Sequence, residues 1–413
     1  MTNTTPRPLW NRDFSLLIFG QIISIFGNMI LSFALPLYIL DISESAAMYG
    51  LVLSLPFIAL IVTSPIGGII ADRLRKQRIM FWLDASTTLI IVLYIIASEY
   101  RFAAIPIVIV KLMALNAIQG LYMPAVQASV PALTSTEKLV PANSAVSVVN
   151  MLSSMAGMAI AGVLYARFGL LPILVVGAIC FAITAMMDLL IRIPYKKPES
   201  SGTVYEIVKS DMKLSMNYMM KENPIIAFCA LIGFMIQITL VPMIVVGVPV
   251  LVTQHLGYGM DMVGYSQSIM MVGGLIGGIA AGALGERLKL KILPIVLLIA
   301  SFLFSTMGLP FLFPAPAFGA YIIITLGTTL GFAAVQLVNI PLFAFIQEVT
   351  PSDLIGKVMS LFVILPFVAS AIGSLIYGFF YEWAESQPWL VVFGTLIVMI
   401  FVAIFAGKRF KKI

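Results

Sequence analysis

Among the ionisable residues within or at the edges of long apolar runs are Asp41, Asp84, Lys111, Asp188 and Arg192. Charge in hydrocarbon is costly, so each must find a partner, reach the headgroups or handle a ligand. Lys111 is the deepest base, about two turns inside its run. It could bind an anion, pair with Asp41, or snorkel on its long stem towards the membrane surface. Asp84 lies about one turn inside the third run. That puts it within reach of Arg73, Arg75, Lys76 and Arg78, so an ion pair there takes precedence over proton carriage. Asp188 and Arg192, four residues apart, are expected to pair on one helix face. Asp41, Asp84 and Lys111 are thus the candidate coupling charges. Bond-making chemistry has less support. Neither H-E-x-x-H nor G-x-S-x-G occurs, and no acids cluster along the spans. The single histidine, His255, is expected in an outer loop. Cys180 and Cys229 lack partners at metal-ligand spacing. No catalytic residue, resident metal or cofactor is expected.

The bases near Asp84 belong to a charged hinge formed by Gly68, Asp72, Arg73, Arg75, Lys76 and Arg78. A weaker copy, Gly282, Glu286, Arg287, Lys289 and Lys291, follows 214 residues later. Both copies join the end of one apolar run to the start of the next. Ser135 to Pro141 likewise corresponds to Thr350 to Gly356, at an offset of 215. Two similarities at nearly one offset imply two homologous halves, both beginning on the same side of a membrane.

The elements that carry these residues are membrane helices. The chain is 61% hydrophobic and 10% charged, with a mean hydropathy of +1.07. Twelve apolar runs are long enough to cross a bilayer: about 14–40, 46–70, 79–98, 104–126, 141–166, 170–193, 223–252, 262–284, 291–312, 317–346, 357–381 and 389–407. With both ends cytoplasmic, 21 of the 24 Lys and Arg fall on the inner side. The net charge of +6 therefore reflects topology and not a nucleic-acid footprint. The expected class is an all-α membrane protein of two parallel-repeat six-helix bundles, residues 1–193 and 223–413. The polar linker 194–222 ends in an amphipathic stretch that suits either an interfacial helix or a solvated linker.

The hinge resembles a signature of the major facilitator superfamily, G-x-x-x-D-[RK]-x-G-R-[RK]. Gly68, Asp72, Arg73 and Lys76 match it, and Arg75 replaces a usual glycine. Asn116 to Gly120 resembles the R-x-x-Q-G element of drug exporters, with Asn in place of Arg. Ser153 to Gly162 is a degraded form of the antiporter pattern G-x-x-x-G-P-x-x-G-G. The stretch from Phe345 to Ser360 is similar to macrolide-efflux and enterobactin-exporter relatives.

The resemblance implies alternating access and export of amphipathic small molecules, by proton antiport, through the plasma (inner) membrane, with a single chain as the working unit. The alternatives are export of a defined metabolite such as a siderophore, or, in a different class, a transport-inactive membrane sensor. It also implies that the hinge residues Gly68, Asp72, Arg73, Lys76, Arg78, Glu286 and Arg287 act as a conformational latch, with the first copy dominant.

In this superfamily helices 1, 4, 7 and 10 line the substrate cavity. The residues that face it by helical spacing are Gln21 and Asn28, Asn116 and Gln119, Gln237, and the row Phe332, Gln336, Asn339 and Phe343. Each amide could instead join two helices. Pro242 and Pro249 are expected to let helix 7 bend. The glycines from Gly273 to Gly282 are expected to bring helices close together.

Overall fold

The computed structural model describes residues 10–99, 104–134, 138–194, 212–284, 287–351 and 354–410. Among these residues there is no strand, and twelve helices are long and apolar enough to cross a membrane. They are α1 (Arg12–Ser43), α2 (Ala46–Arg73), α3 (Lys76–Glu99), α4 (Ala104–Leu133), α5 (Leu139–Phe168) and α6 (Leu170–Leu190). The second six are α7 (Pro224–His255), α8 (Met260–Leu284), α9 (Leu293–Leu312), α10 (Ala317–Val349), α11 (Ile355–Trp383) and α12 (Trp389–Phe410). Helices prevail because a spanning segment must satisfy its backbone internally. Internal prolines such as Pro36, Pro56, Pro124 and Pro366 are carried within them. Several helices outrun the expected spans; α4 continues past Pro131 to Leu133.

α7 is interrupted where the prolines were expected to bend it. Regular helix stops at Ile238 and resumes at Leu240, and the last turn, Leu251–His255, is a π-helix. Pro242 has no N–H for the carbonyl of Ile238 four residues earlier. That carbonyl faces Gly373 of α11, where a side chain would collide with it and with the Pro242 ring. His255 therefore ends a helix instead of lying in a loop. Its Nε2 lies 2.8 Å from the Glu385 carbonyl oxygen.

The chain forms two compact units: residues 1–38 with 55–204, and residues 39–54 with 205–413. The end of α1 and the start of α2 thus pack with the second unit, so the compact units differ from a simple division of the sequence near residue 200. In the first unit α3 lies along both α6 and α4. The one-residue link from α5 to α6 is Gly169, at φ 71°, a conformation that favours glycine. In the second unit α8 lies along α10. Side chains at Gly273 and Gly277 would run into the α10 backbone at Thr329 and Ala333, so these glycines do serve close packing.

Residues 212–222 are helical, with Ser215, Tyr218 and Met219 buried and Met212, Met216 and Met220 exposed. The Tyr218 hydroxyl donates to the Val349 carbonyl at 3.1 Å, fastening this amphipathic piece to the end of α10. The earlier part of the linker lies outside the described residues.

Candidate functional site

A buried polar cluster in the first unit collects side chains from four helices. α3 supplies Asp84 and Thr87, α6 supplies Thr184 and Asp188, α4 supplies Tyr122, and α1 supplies Gln21 and Ser24. None is more than 6% exposed, and both aspartates are 2% exposed. Gln21 Nε2 donates to the Tyr122 hydroxyl at 3.0 Å, and Ser24 also bonds that hydroxyl. The Thr184 hydroxyl touches Asp84 and donates to the Phe181 carbonyl at 3.0 Å. The two carboxyl groups lie close enough to act on each other and on Tyr122. One oxygen of each, Oδ2, is buried without a hydrogen-bond partner.

Two expectations are corrected here. Asp188 does not pair with Arg192, because α6 ends at Leu190 and Ile191 is extended (φ −78°, ψ 134°). The i,i+4 register is lost before Arg192. Its side chain is exposed, and its backbone N–H donates to Asp13 Oδ1 at 3.1 Å. Nor does Asp84 pair with the hinge bases: it points into the bundle, towards α6. Acids that do not cluster along the sequence cluster in space.

Lys111 is also buried, at 3% exposure, and does not snorkel. Its Nζ has no hydrogen-bond partner and sits 4.1 Å from the centre of the Tyr94 ring, a cation–π arrangement in place of the expected bond to Asp41. Asp41 is exposed in the last turn of α1.

The remaining polar candidates have varied surroundings. Gln21 ties α1 to α4 through Tyr122, the helix-joining role. Asn28 Oδ1 accepts from Ser32 at 3.3 Å, and Asn116 Nδ2 donates to the Leu112 carbonyl at 3.0 Å. Gln119, Gln336 and Asn339 are partly buried. Gln237, beside the break in α7, has an Oε1 that is buried and unpartnered. Phe332 packs over Gly274 and lines a small apolar cavity with Leu240, Ile244, Met270, Phe304 and Val335. The Phe343 ring centre is 5.8 Å from that of Phe362.

At the hinge, Arg73 closes α2, Lys76 opens α3, and Arg75 lies between them. Arg73, Arg75 and Arg78 are exposed. A side chain at Gly68 would meet nothing, whereas one at the adjacent Gly67 would strike the Gly120 carbonyl and Leu121 of α4. Gly67 is thus the glycine that packing requires. The Asp72 side chain and the whole of Glu286 lie outside the described residues; Arg287 is exposed in a short turn.

Sequence reasoning missed a second carboxylate site, Glu382 near the end of α11. Within the second unit Glu382 accepts hydrogen bonds from the Ser45 hydroxyl and, at 2.8 Å, from the Ala47 N–H. Ser45 in turn receives the Met48 N–H at 3.1 Å, so Ser45 and Glu382 together cap α2. Gln254 Nε2 donates to the Glu44 carbonyl at 3.1 Å, and Gly50 abuts the backbone of Ser374 and Gly378. Nothing local in the sequence marks Glu382. Only the N-cap serine was available as a signal.

Twelve spanning helices define a multi-pass integral membrane protein. The Major Facilitator Superfamily profile matches residues 17–374, and the chain belongs to that family. It is similar to macrolide efflux protein A of Streptococcus pyogenes, 21% identical over 95% of both chains. It also resembles the uncharacterised MFS-type transporter YfiS of Bacillus subtilis (strain 168), 23% identical over 98% of this chain and 96% of that one. Among solved structures, the nucleoside transporter NupG superposes with a TM-score of 0.74 at 14% identity, covering 96% of this chain and 100% of that one. A D-xylose–proton symporter superposes with 0.73 at 15% identity, covering 96% of each. At these identities the structural likeness speaks for the fold alone.

Proposed function

We propose that this chain is a secondary active exporter of amphipathic small molecules, of the macrolide-efflux kind, working by alternating access and proton antiport. The carrying observation is the match to macrolide efflux protein A along 95% of both chains. The reading places the protein in the plasma (inner) membrane as a single working chain with both ends cytoplasmic, as the distribution of Lys and Arg favours. Substrate is met by the amide and aromatic side chains of α1, α4, α7 and α10. The unpartnered Gln237 Oε1 supports a ligand contact on α7. The hinge serves as the latch, so Asp72→Asn slows turnover more than Glu286→Gln. Equal losses would remove the asymmetry between the two copies.

Uptake of a labelled macrolide into everted membrane vesicles, with and without an uncoupler, tests the assignment. Energised accumulation that collapses with the proton gradient is expected; accumulation untouched by the uncoupler defeats the antiport claim. Export of a defined anionic metabolite, such as a siderophore, is the second reading, favoured by the buried and hydrogen-bond-free Nζ of Lys111. Anion export that persists in Lys111→Ala removes its support.

A further inference from the structure

The first unit buries two carboxyl groups near enough to act on each other, and no base among the described residues neutralises them. Asp84 comes from the first half of α3 and Asp188 from the last turn of α6, and packing of those two helices brings them together. Thr184 of α6 bonds Asp84, and both carboxyl groups act on Tyr122 of α4, whose hydroxyl is bonded by Gln21 and Ser24 of α1. Of these only Tyr122 can titrate. At the same end of α6, Asp13 is partly exposed and accepts the Arg192 N–H, while the Arg192 side chain is exposed. No Lys or Arg among the described residues acts on either carboxyl group.

Two neighbouring carboxylates in apolar surroundings disfavour the doubly ionised state, which favours one proton for the two groups. The orphaned Oδ2 atoms are where hydrogen is wanting, because a buried acceptor without a donor is costly. The nearby hydroxyls do not neutralise the pair. Thr184 bonds Asp84 as well as the Phe181 carbonyl, and the Tyr122 hydroxyl is engaged with Gln21 and Ser24, yet neither meets the Oδ2 atoms. No group of three His, Cys, Asp or Glu side chains that could hold a metal occurs among the described residues.

We propose that Asp84 and Asp188 share one exchangeable proton and form the site at which proton movement couples to transport, a reading that rests on the antiport assignment above. The proton arrives from water when the cluster is accessible and is held by one of the two carboxyl groups. Its loss leaves two adjacent negative charges. Release therefore requires that water or a positive group reach the pair, which makes proton exchange conditional on a change of packing between α3 and α6. The sequence gives no hint of the pair, since Asp188 reads as the partner of Arg192.

The test uses the intact protein and three isosteric variants, Asp84→Asn, Asp188→Asn and the double substitution. Infrared difference spectra of the purified protein, taken across a pH step, should show the carbonyl stretch of a protonated carboxylic acid. That band should shift on deuterium exchange and vanish in the double variant. In everted vesicles the Asn variants should lose proton-driven accumulation of a labelled macrolide yet keep its downhill flux, with unfolding temperatures near that of the parent. An infrared band that survives the double substitution overturns the shared proton. Proton-driven accumulation with an unchanged pH profile in the variants overturns the coupling role and leaves antiport intact. If the parent shows no proton-driven accumulation, antiport and the coupling role both fall, while the infrared band still decides whether the proton is shared. Accumulation that follows a sodium gradient, abolished by the same variants, overturns the proton in favour of a metal cation.

Discussion

Glu382 and the Asp84–Asp188 pair carry the same chemical group in opposite surroundings. Glu382 is exposed, and hydrogens point at it from Ser45 and from the first turn of α2. Its oxygens are met by donors at the positive end of a helix. Asp84 and Asp188 are buried beside each other, each with an oxygen that meets no donor. The first arrangement holds a fold together; the second creates a demand for a mobile hydrogen. Lys111 is the cationic counterpart of the second: buried, with an aromatic face for company and no acceptor for its hydrogens. A carboxylate's role here is set by whether donors surround it and not by its presence in a span.

The sharpest way to break the packing of α2 on α11 around Glu382 is Gly50→Ala. The new methyl would collide with the Ser374 carbonyl and Gly378, and overpacking of this kind costs about 1–3 kcal/mol. Thermal unfolding in detergent should reveal the loss. Gly20→Ala, where a side chain meets nothing, should show none. Lys111→Met should move stability the other way, because it removes an unsatisfied buried donor worth about 1–3 kcal/mol. A lower unfolding temperature would mean that the Tyr94 contact outweighs the desolvation cost.

Glu382→Ala should cost about 1 kcal/mol, the usual value of a helix cap, and leave the pH profile of transport unchanged. A changed profile would erase the distinction between the two carboxylate sites. The smallest effect is expected from Arg192→Ala. An exposed base beyond the end of α6 should alter stability by less than about 0.5 kcal/mol and leave Asp188-dependent proton exchange untouched. A shift in that exchange would restore the local ion pair that the helix end precludes.

Length and apolarity alone determined the twelve helices, because hydrocarbon leaves a spanning backbone no other way to satisfy its polar groups. The repeated hinge pointed to two halves, and Pro242 marked the interruption of α7. The candidate site was far less legible. Asp84 and Asp188 are distant in sequence, and the four-residue spacing to Arg192 offered a plausible but wrong partner. A helix ending at Leu190 is a small local event, yet it decides that Asp188 meets another acid instead of a base. Gly67 in place of Gly68, Glu382 as a cap for α2, and Tyr94 beneath Lys111 were likewise settled by neighbours from distant segments. Sequence determined which segments enter the membrane, because that is a contest between each segment and its solvent. Tertiary structure decided which charges face one another, because that depends on the packing of helices whose local patterns do not mention each other.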